Sequence, residues 1–476
     1  MSWDQIICAA PPEVDETLLL EGTIPARLVG GTYLLNGPAL LHEHGIRLHP
    51  FDGHGLLRRM HFSSDKVTFK SRYIQTKAYV KEQKKGRIVY RGIGGLPYDS
   101  SVKNCLSSPF KNPANTSVYP WKGQLLCGYE GGWPHAVDSQ TLDYHGLESL
   151  DGALKGMTSA LAHTRYDAQR KERFFVCFEP SKHTKYRVLG FNEKGEKILH
   201  TDHKQFGMTL IHDFLITPSY VIILENPMIP DIPTLLKSFV GLNSLISAIK
   251  QHERPARLML FPRSGGEPRV IELDRSYVAF HHAMAEENVD EAGNVESVSI
   301  TSCLFDSYTD FGQEFGYRGH SQPYHDRFDH HPAQRLTKIT VNLNTEHQTN
   351  DVLSEWGIDF PTIHPLHDGL SSTHIYGAAA APKGTFNPFD TLCRVDTKTG
   401  TTETWTADGW NVGEPYFIPD DTDETEGTIL SMLYRADKTQ LAIFEASEMS
   451  KGPTARLTLP AVFPYGFHGT FLPATA

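Results

Sequence analysis

Short runs of β-type residues, separated by turn-forming clusters, recur along almost the whole chain and restrict it to an all-β architecture. T-Y-L-L-N (32–36), K-V-T-F-K-S-R-Y-I (66–74), G-Q-L-L-C-G-Y (123–129), R-F-F-V-C-F (173–178), Y-V-I-I-L (220–224), L-T-K-I-T-V-N-L (336–343) and L-A-I-F-E-A (441–446) all read as strands. Between them lie clusters such as D-A-Q-R-K-E-R (167–173), N-E-K-G-E-K (192–197) and D-T-K-T-G-T-T (396–402). Short strands at near-regular spacing make a sandwich, a barrel or a propeller. For a chain of 476 residues, a single propeller domain over 1–476, with roughly six or seven four-stranded blades, fits best. No blade signature repeats in the sequence, so periodicity alone does not establish it.

One segment departs from the strand pattern. Across 227–252, Leu235, Leu236, Phe239, Leu242, Leu245, Ile246 and Ile249 fall at helical spacing, with the prolines placed ahead of the run where they can open a helix. The sequence predicts an apolar helical segment within a cap. Either it packs on the β core, or it dips into a membrane interface at a lipid entrance.

The formal net charge is −11 and the basic residues are dispersed, which makes nucleic acid a poor partner. Nothing in the sequence points to an obligate protein partner. Six cysteines (Cys8, Cys105, Cys127, Cys177, Cys303, Cys393) are scattered without close pairs and read as reduced thiols. The N-terminus lacks a basic leader pattern, and no run approaches the roughly 18 apolar residues of a membrane span. These features lead to an expectation of a cytoplasmic protein, free or peripheral to a membrane.

Among 24 histidines, four stand in segments of a common kind: S-A-L-A-H-T-R-Y-D around His163, M-T-L-I-H-D-F-L-I-T around His212, V-A-F-H-H-A-M-A-E-E around His281, and P-Y-G-F-H-G-T-F around His468. Each follows an apolar residue. A histidine at the inner end of a buried strand suits metal ligation, because one imidazole nitrogen binds while a neighbour holds the other. Four such strands converging would make an all-imidazole site. His42 and His44, and the pair His330–His331, sit instead in polar, turn-like sequence, which argues against ligation. Adjacent strand residues point to opposite faces, so only one of His281 and His282 can face a metal.

These four segments, in this order, resemble the histidine motifs of the carotenoid cleavage oxygenases, the family that includes lignostilbene and apocarotenoid dioxygenases. Further blocks agree: G-T-I-P-A-R-L-V-G-G-T-Y-L-L-N-G-P (22–38), F-D-G-H-G-L-L (51–57), Y-E-G-G-W-P-H-A-V-D (129–138), G-E-P-Y-F-I-P (413–419) and E-T-E-G-T-I-L-S (424–431). The resemblance implies a seven-bladed β-propeller, with a helical and loop cap over the iron side, holding Fe(II) through His163, His212, His281 and His468. It makes His281 the third ligand and turns His282 away. It further implies acids that accept the ligands' other N–H: Glu130, Asp359 where the usual residue is glutamate, and Glu424. Met284, Glu286 and His54 stand where asparagine, an aromatic residue and aspartate are usual.

The resemblance carries an expectation of function: oxidative cleavage of a conjugated C=C bond with O2, giving two carbonyl products from a lipophilic substrate. Stilbene-cleaving relatives place a lysine where this chain has Tyr129, so a carotenoid or apocarotenoid is the expected substrate. A stilbene or phenylpropene is the alternative, with Tyr129 lining the pocket. A retinoid-type isomerase and a non-catalytic propeller scaffold are the competing readings.

Overall fold

The computed structural model describes residues 3–98, 100–207, 209–305, 308, 314–325, 333–380 and 388–474. Among these residues the strands form seven antiparallel blades. Five are separate sheets, and two more run together as a seven-stranded sheet. The junction is the long strand Gln348–Thr362, which pairs with Arg335–Asn342 along its first part and with His374–Ala379 along its last.

Both faces of each blade are covered by its neighbours, and this is why the strands read as near-continuous apolar runs rather than alternating ones. In Glu172–Glu179, Phe174 and Val176 pack towards Val221, Ile223 and Met259 of the following blade. The alternate residues Phe175 and Cys177 pack towards Tyr119, Trp121 and Leu126 of the preceding one. The two-residue period thus sorts one strand between two interfaces. The same arrangement continues around the ring, from Leu34 and Leu57 against Val118 and Leu125 to Tyr376 and Leu392 against Ile429 and Ile443.

The ends of the chain close the ring twice. Leu19–Gly22 pairs with Ala455–Thr458 and so completes the blade built from the C-terminal strands. Gly469–Leu472 pairs with Thr32–Leu35 and completes the first blade. Gly469 is required at this seam, since an added Cβ would lie 2.8 Å from both the Leu34 carbonyl oxygen and the Tyr33 hydroxyl.

Among the described residues the helices lie outside the blades, at the N-terminal Trp3–Ile7 and in connections. Lys77–Lys85 is capped by Thr76 and ends at Gly86 in the left-handed region. The 227–252 segment is less helical than its spacing predicts. Its helix is only Ile232–Phe239, opened by Asp231 and Pro233, and a short 3-10 turn follows at Ile246–Ala248. Its flanks, Met228–Pro230 and Ile249–Gln251, pair as antiparallel strands. The prolines at its start and Gly241 at φ 75° limit the helix to this length. Among the described residues no helix is long and apolar enough to cross a membrane.

Candidate metal centre

Three of the four motif histidines lie in irregular backbone beside a blade's edge strand, where no ladder dictates side-chain direction. His163 stands between Ser159–Ala160 and Arg165–Asp167, His212 precedes Leu215–Ile216, and His468 immediately precedes Gly469–Leu472. His468 is fixed through its backbone, its N–H donating to Thr116 O (3.2 Å) and its carbonyl accepting from Asn36 N (3.1 Å). His281 lies within the strand Val278–Val289, at a break in its register with the next strand.

The four imidazoles converge. Nε2 of His212 is 3.2 Å from Nε2 of His163 and of His281, and Nε2 of His281 is 3.2 Å from that of His468. All four potential ligand atoms lie within 4.8 Å of one another.

Carboxylates hold three of these rings from behind. Nδ1 of His281 donates to Asp359 Oδ1 at 2.7 Å, and Nδ1 of His468 donates to Glu414 Oε1 at 2.8 Å. Nδ1 of His212 lies 3.0 Å from Glu130 Oε1. A proton on each Nδ1 turns the Nε2 lone pair towards the common centre. His163 alone has no carboxylate within hydrogen-bonding distance among the described residues, the nearest carboxylate oxygen being Asp213 Oδ1 at 4.0 Å.

Electrostatics favour the neutral form at His163 and His281 and the charged form at His212. Burial, together with repulsion among the four rings, holds the His163 pKa well below the ordinary histidine value. Burial also lowers His281, against the pull of Asp359. Burial opposes charge on His212 as well, yet Glu130 beside it raises its pKa, while His212 in turn lowers that of Glu130.

Lone pairs converging at this distance repel unless a cation lies between them. Nitrogen ligands about 2.1 Å from a metal stand about 3 Å apart when at right angles, so the 3.2 Å spacings suit a shared ion. His163, His212, His281 and His468 therefore fit a metal, which they would hold through neutral nitrogen and no carboxylate.

Glu424 is not among the acids at this centre. Its carboxylate accepts from Ser372 Oγ and from the His374 backbone N–H, both at 2.7 Å, and lies 3.3 Å from His367 Nδ1. The strand Tyr416–Pro419 separates it from Glu414 and spans about 13 Å at 3.3 Å per residue. Glu414 stands before that strand, beside the histidines, and Glu424 stands after it. The signal for Glu414 was in the G-E-P-Y-F-I-P block, where its glutamate precedes a proline and a strand.

The remaining sequence positions are also placed. His282 points away, its Nδ1 2.7 Å from Ser302 Oγ. Tyr129 is 3 % exposed, next to Glu130, and its hydroxyl has no hydrogen-bond partner among the described residues. Met284 is buried and its sulfur accepts from Ser372 N, while Glu286 pairs with Lys338 on the surface side. His54 is buried 2.9 Å from Glu82. His42 sits in a two-residue hairpin strand, with His44 just past it, and His330 and His331 lie outside the described residues.

Aromatic rings line the centre. Phe280 packs on His212 (centroids 5.6 Å) and leads to Phe305 and Tyr308. Phe360 packs on both His281 (5.2 Å) and His468 (5.5 Å).

Comparison with known proteins places the whole chain in one family. A family profile described as retinal pigment epithelial membrane protein matches residues 9–473. Apocarotenoid-15,15'-oxygenase of Synechocystis is 31% identical over 472 residues, covering 95% of this chain and 92% of its own length. Carotenoid cleavage dioxygenase 7 of Oryza sativa is 28% identical, covering 94% of this chain and 87% of its own. The crystal structure of cobalt-substituted Synechocystis apocarotenoid oxygenase superposes with a TM-score of 0.89 at 29% identity, over 99% of this chain and 98% of that one. The chain is a member of the carotenoid cleavage oxygenases, the family of the retinal pigment epithelial membrane protein.

Proposed function

We propose that this protein cleaves a C=C double bond of a carotenoid or apocarotenoid with O2, giving two carbonyl products, and that its metal is Fe(II) held by His163, His212, His281 and His468. The convergence of four imidazoles on one point, with Glu130, Asp359 and Glu414 behind three of them, carries this reading. When bound, Fe(II) in a neutral four-nitrogen set supplies open positions at which O2 is activated.

The chain's own part is positioning and exclusion of water. Glu130, Asp359 and Glu414 keep the Nδ1 protons of their histidines in place and so keep the rings aimed. Phe280, Phe305, Tyr308 and Phe360 offer an apolar wall against which a polyene can lie. Because the double bonds of a polyene are chemically alike, the bond cleaved is set by where the wall stops the chain.

Entry of a lipophilic substrate from a membrane fits the outer surface. Leu236 and Phe239 of the short helix are 62% and 54% exposed, and Leu106 of the neighbouring helix Ser101–Leu106 is 82% exposed. The two helices are adjacent, since a Cβ on Gly241 would lie 2.7 Å from the backbone of Asn104. Beside them a cavity of about 450 Å³ is lined by Gly95, Tyr98, Leu242, Ser247 and Tyr317. The exposed apolar side chains are read as a peripheral membrane contact.

A second reading rests on Tyr129. Its buried hydroxyl, without a partner among the described residues, is suited to a phenolic oxygen, which would favour a stilbene or phenylpropene. The test is O2 consumption by Fe(II)-reconstituted protein on β-carotene, an apocarotenal, resveratrol and isoeugenol, with products identified by mass. Aldehydes from the polyenes are expected. Aldehydes from the phenolics alone would overturn the substrate assignment and keep the centre.

A further inference from the structure

Behind the four histidines, on the side away from their converging nitrogens, one guanidinium joins three of the segments that carry them. Arg165 follows His163 by two residues, and its side chain is 14% exposed. Its Nε donates to the Phe214 carbonyl at 2.6 Å. Its Nη2 donates to Asp213 Oδ2 at 2.5 Å and to the His282 carbonyl at 2.9 Å. Its Nη1 lies 3.7 Å from Asp368 Oδ1, and Asp368 Oδ2 accepts from the Tyr166 N–H at 3.2 Å.

Asp213 and Phe214 directly follow His212, and His282 directly follows His281. Asp213 completes the junction by accepting from the backbone N–H of His282 (3.1 Å) and of Phe214 (2.7 Å). The backbones carrying three of the four imidazoles are therefore tied to a single planar group. Only a guanidinium offers this many donors in a fixed fork; an ammonium is a point charge with three rotating donors. The arrangement matters most for His163, which lacks the carboxylate that aims each of the other rings.

We propose that Arg165 is a positioning residue of the metal centre, with Asp213 as its anchor, and that it sets the spacing of His163, His212 and His281. The inference rests on the reading of these histidines as metal ligands. The test compares the parent with Arg165→Lys, Asp213→Asn and, as a control, Arg263→Lys. Arg263 is also buried, but it pairs with Asp167 and Glu172 and reaches the Thr217 carbonyl, not the backbone adjoining a ligand.

Each protein is titrated with Co(II), its visible spectrum is recorded, and the unfolding temperature is measured without metal. Arg165→Lys is expected to weaken Co(II) binding by about 10- to 100-fold and to change the spectrum. Arg263→Lys is expected to lower the unfolding temperature alone. Parent-like Co(II) affinity and spectrum in Arg165→Lys would overturn the proposal, whatever its unfolding temperature, because a merely structural bridge behaves that way. Should Arg165→Lys fail to fold, the nearly isosteric Asp213→Asn decides by the same two readouts. A parent that binds no Co(II) would overturn the metal reading itself, and this inference with it.

Discussion

At Asp359 the shorter acid still reaches its histidine directly, at 2.7 Å, so the missing methylene is taken up by the backbone and not by a bridging water. The next residue, Phe360, has φ 51°, a conformation bulky residues rarely adopt, and the rings of His281 and His468 hold it there. Asp359→Ala is expected to weaken metal binding by about 10- to 100-fold in a Co(II) titration; unchanged affinity would mean that His281 needs no support. Glu414 and Glu424 provide a paired test. Glu414→Gln should lower metal affinity about tenfold or more, and Glu424→Gln should leave it as in the parent. The four histidines were legible because each sits in its own motif. The choice between two acids ten residues apart was not, because it depends on which end of an intervening strand faces the axis.

Among the larger elements, the apolar 227–252 segment shows what spacing can and cannot tell. The helical period was real, but only Ile232–Phe239 keeps it, because the flanking residues pair with each other as strands. Pairing such as that of Ile229 with Lys250, which lie beyond one another's neighbourhood in sequence, is invisible to a local window. Leu236 and Phe239 of this short helix stand exposed. Leu236→Glu with Phe239→Glu is expected to abolish co-sedimentation with phosphatidylcholine vesicles. Stability should change by no more than about 0.5 kcal/mol, as for other surface substitutions. Vesicle binding equal to that of the parent would remove the membrane role from this face.

For the molecule as a whole, strand-rich sequence and length pointed to a propeller, whereas the seven blades and their double closure did not follow from either. Blade interfaces are built from generic aliphatic and aromatic residues sorted by a two-residue period, so no signature repeats. Closure joins strands more than 400 residues apart, a pairing no pattern announces. Such packing buries histidines in neutral form: burial lowers His54 and His135 from 6.5 to about 4. Between these values the unfolded chain binds protons that the folded one does not. The stability they contribute is therefore full above pH 6.5 and is lost as pH falls towards 4, about 3 kcal/mol each. Unfolding of metal-free protein followed from pH 8 to pH 5 should show a falling midpoint, and His135→Gln should flatten it. A midpoint unchanged over that range would contradict the burial of these rings.

Oxidative cleavage at the four-histidine centre is tested by mass analysis of the products that iron-loaded protein forms under ¹⁸O2. Stoichiometric iron, two carbonyl fragments each carrying label, and loss of both iron and products in His163→Ala and His468→Ala are expected. A product of unchanged mass would point to an isomerase. No iron and no turnover, with the histidine variants behaving like the parent, would leave only a scaffold.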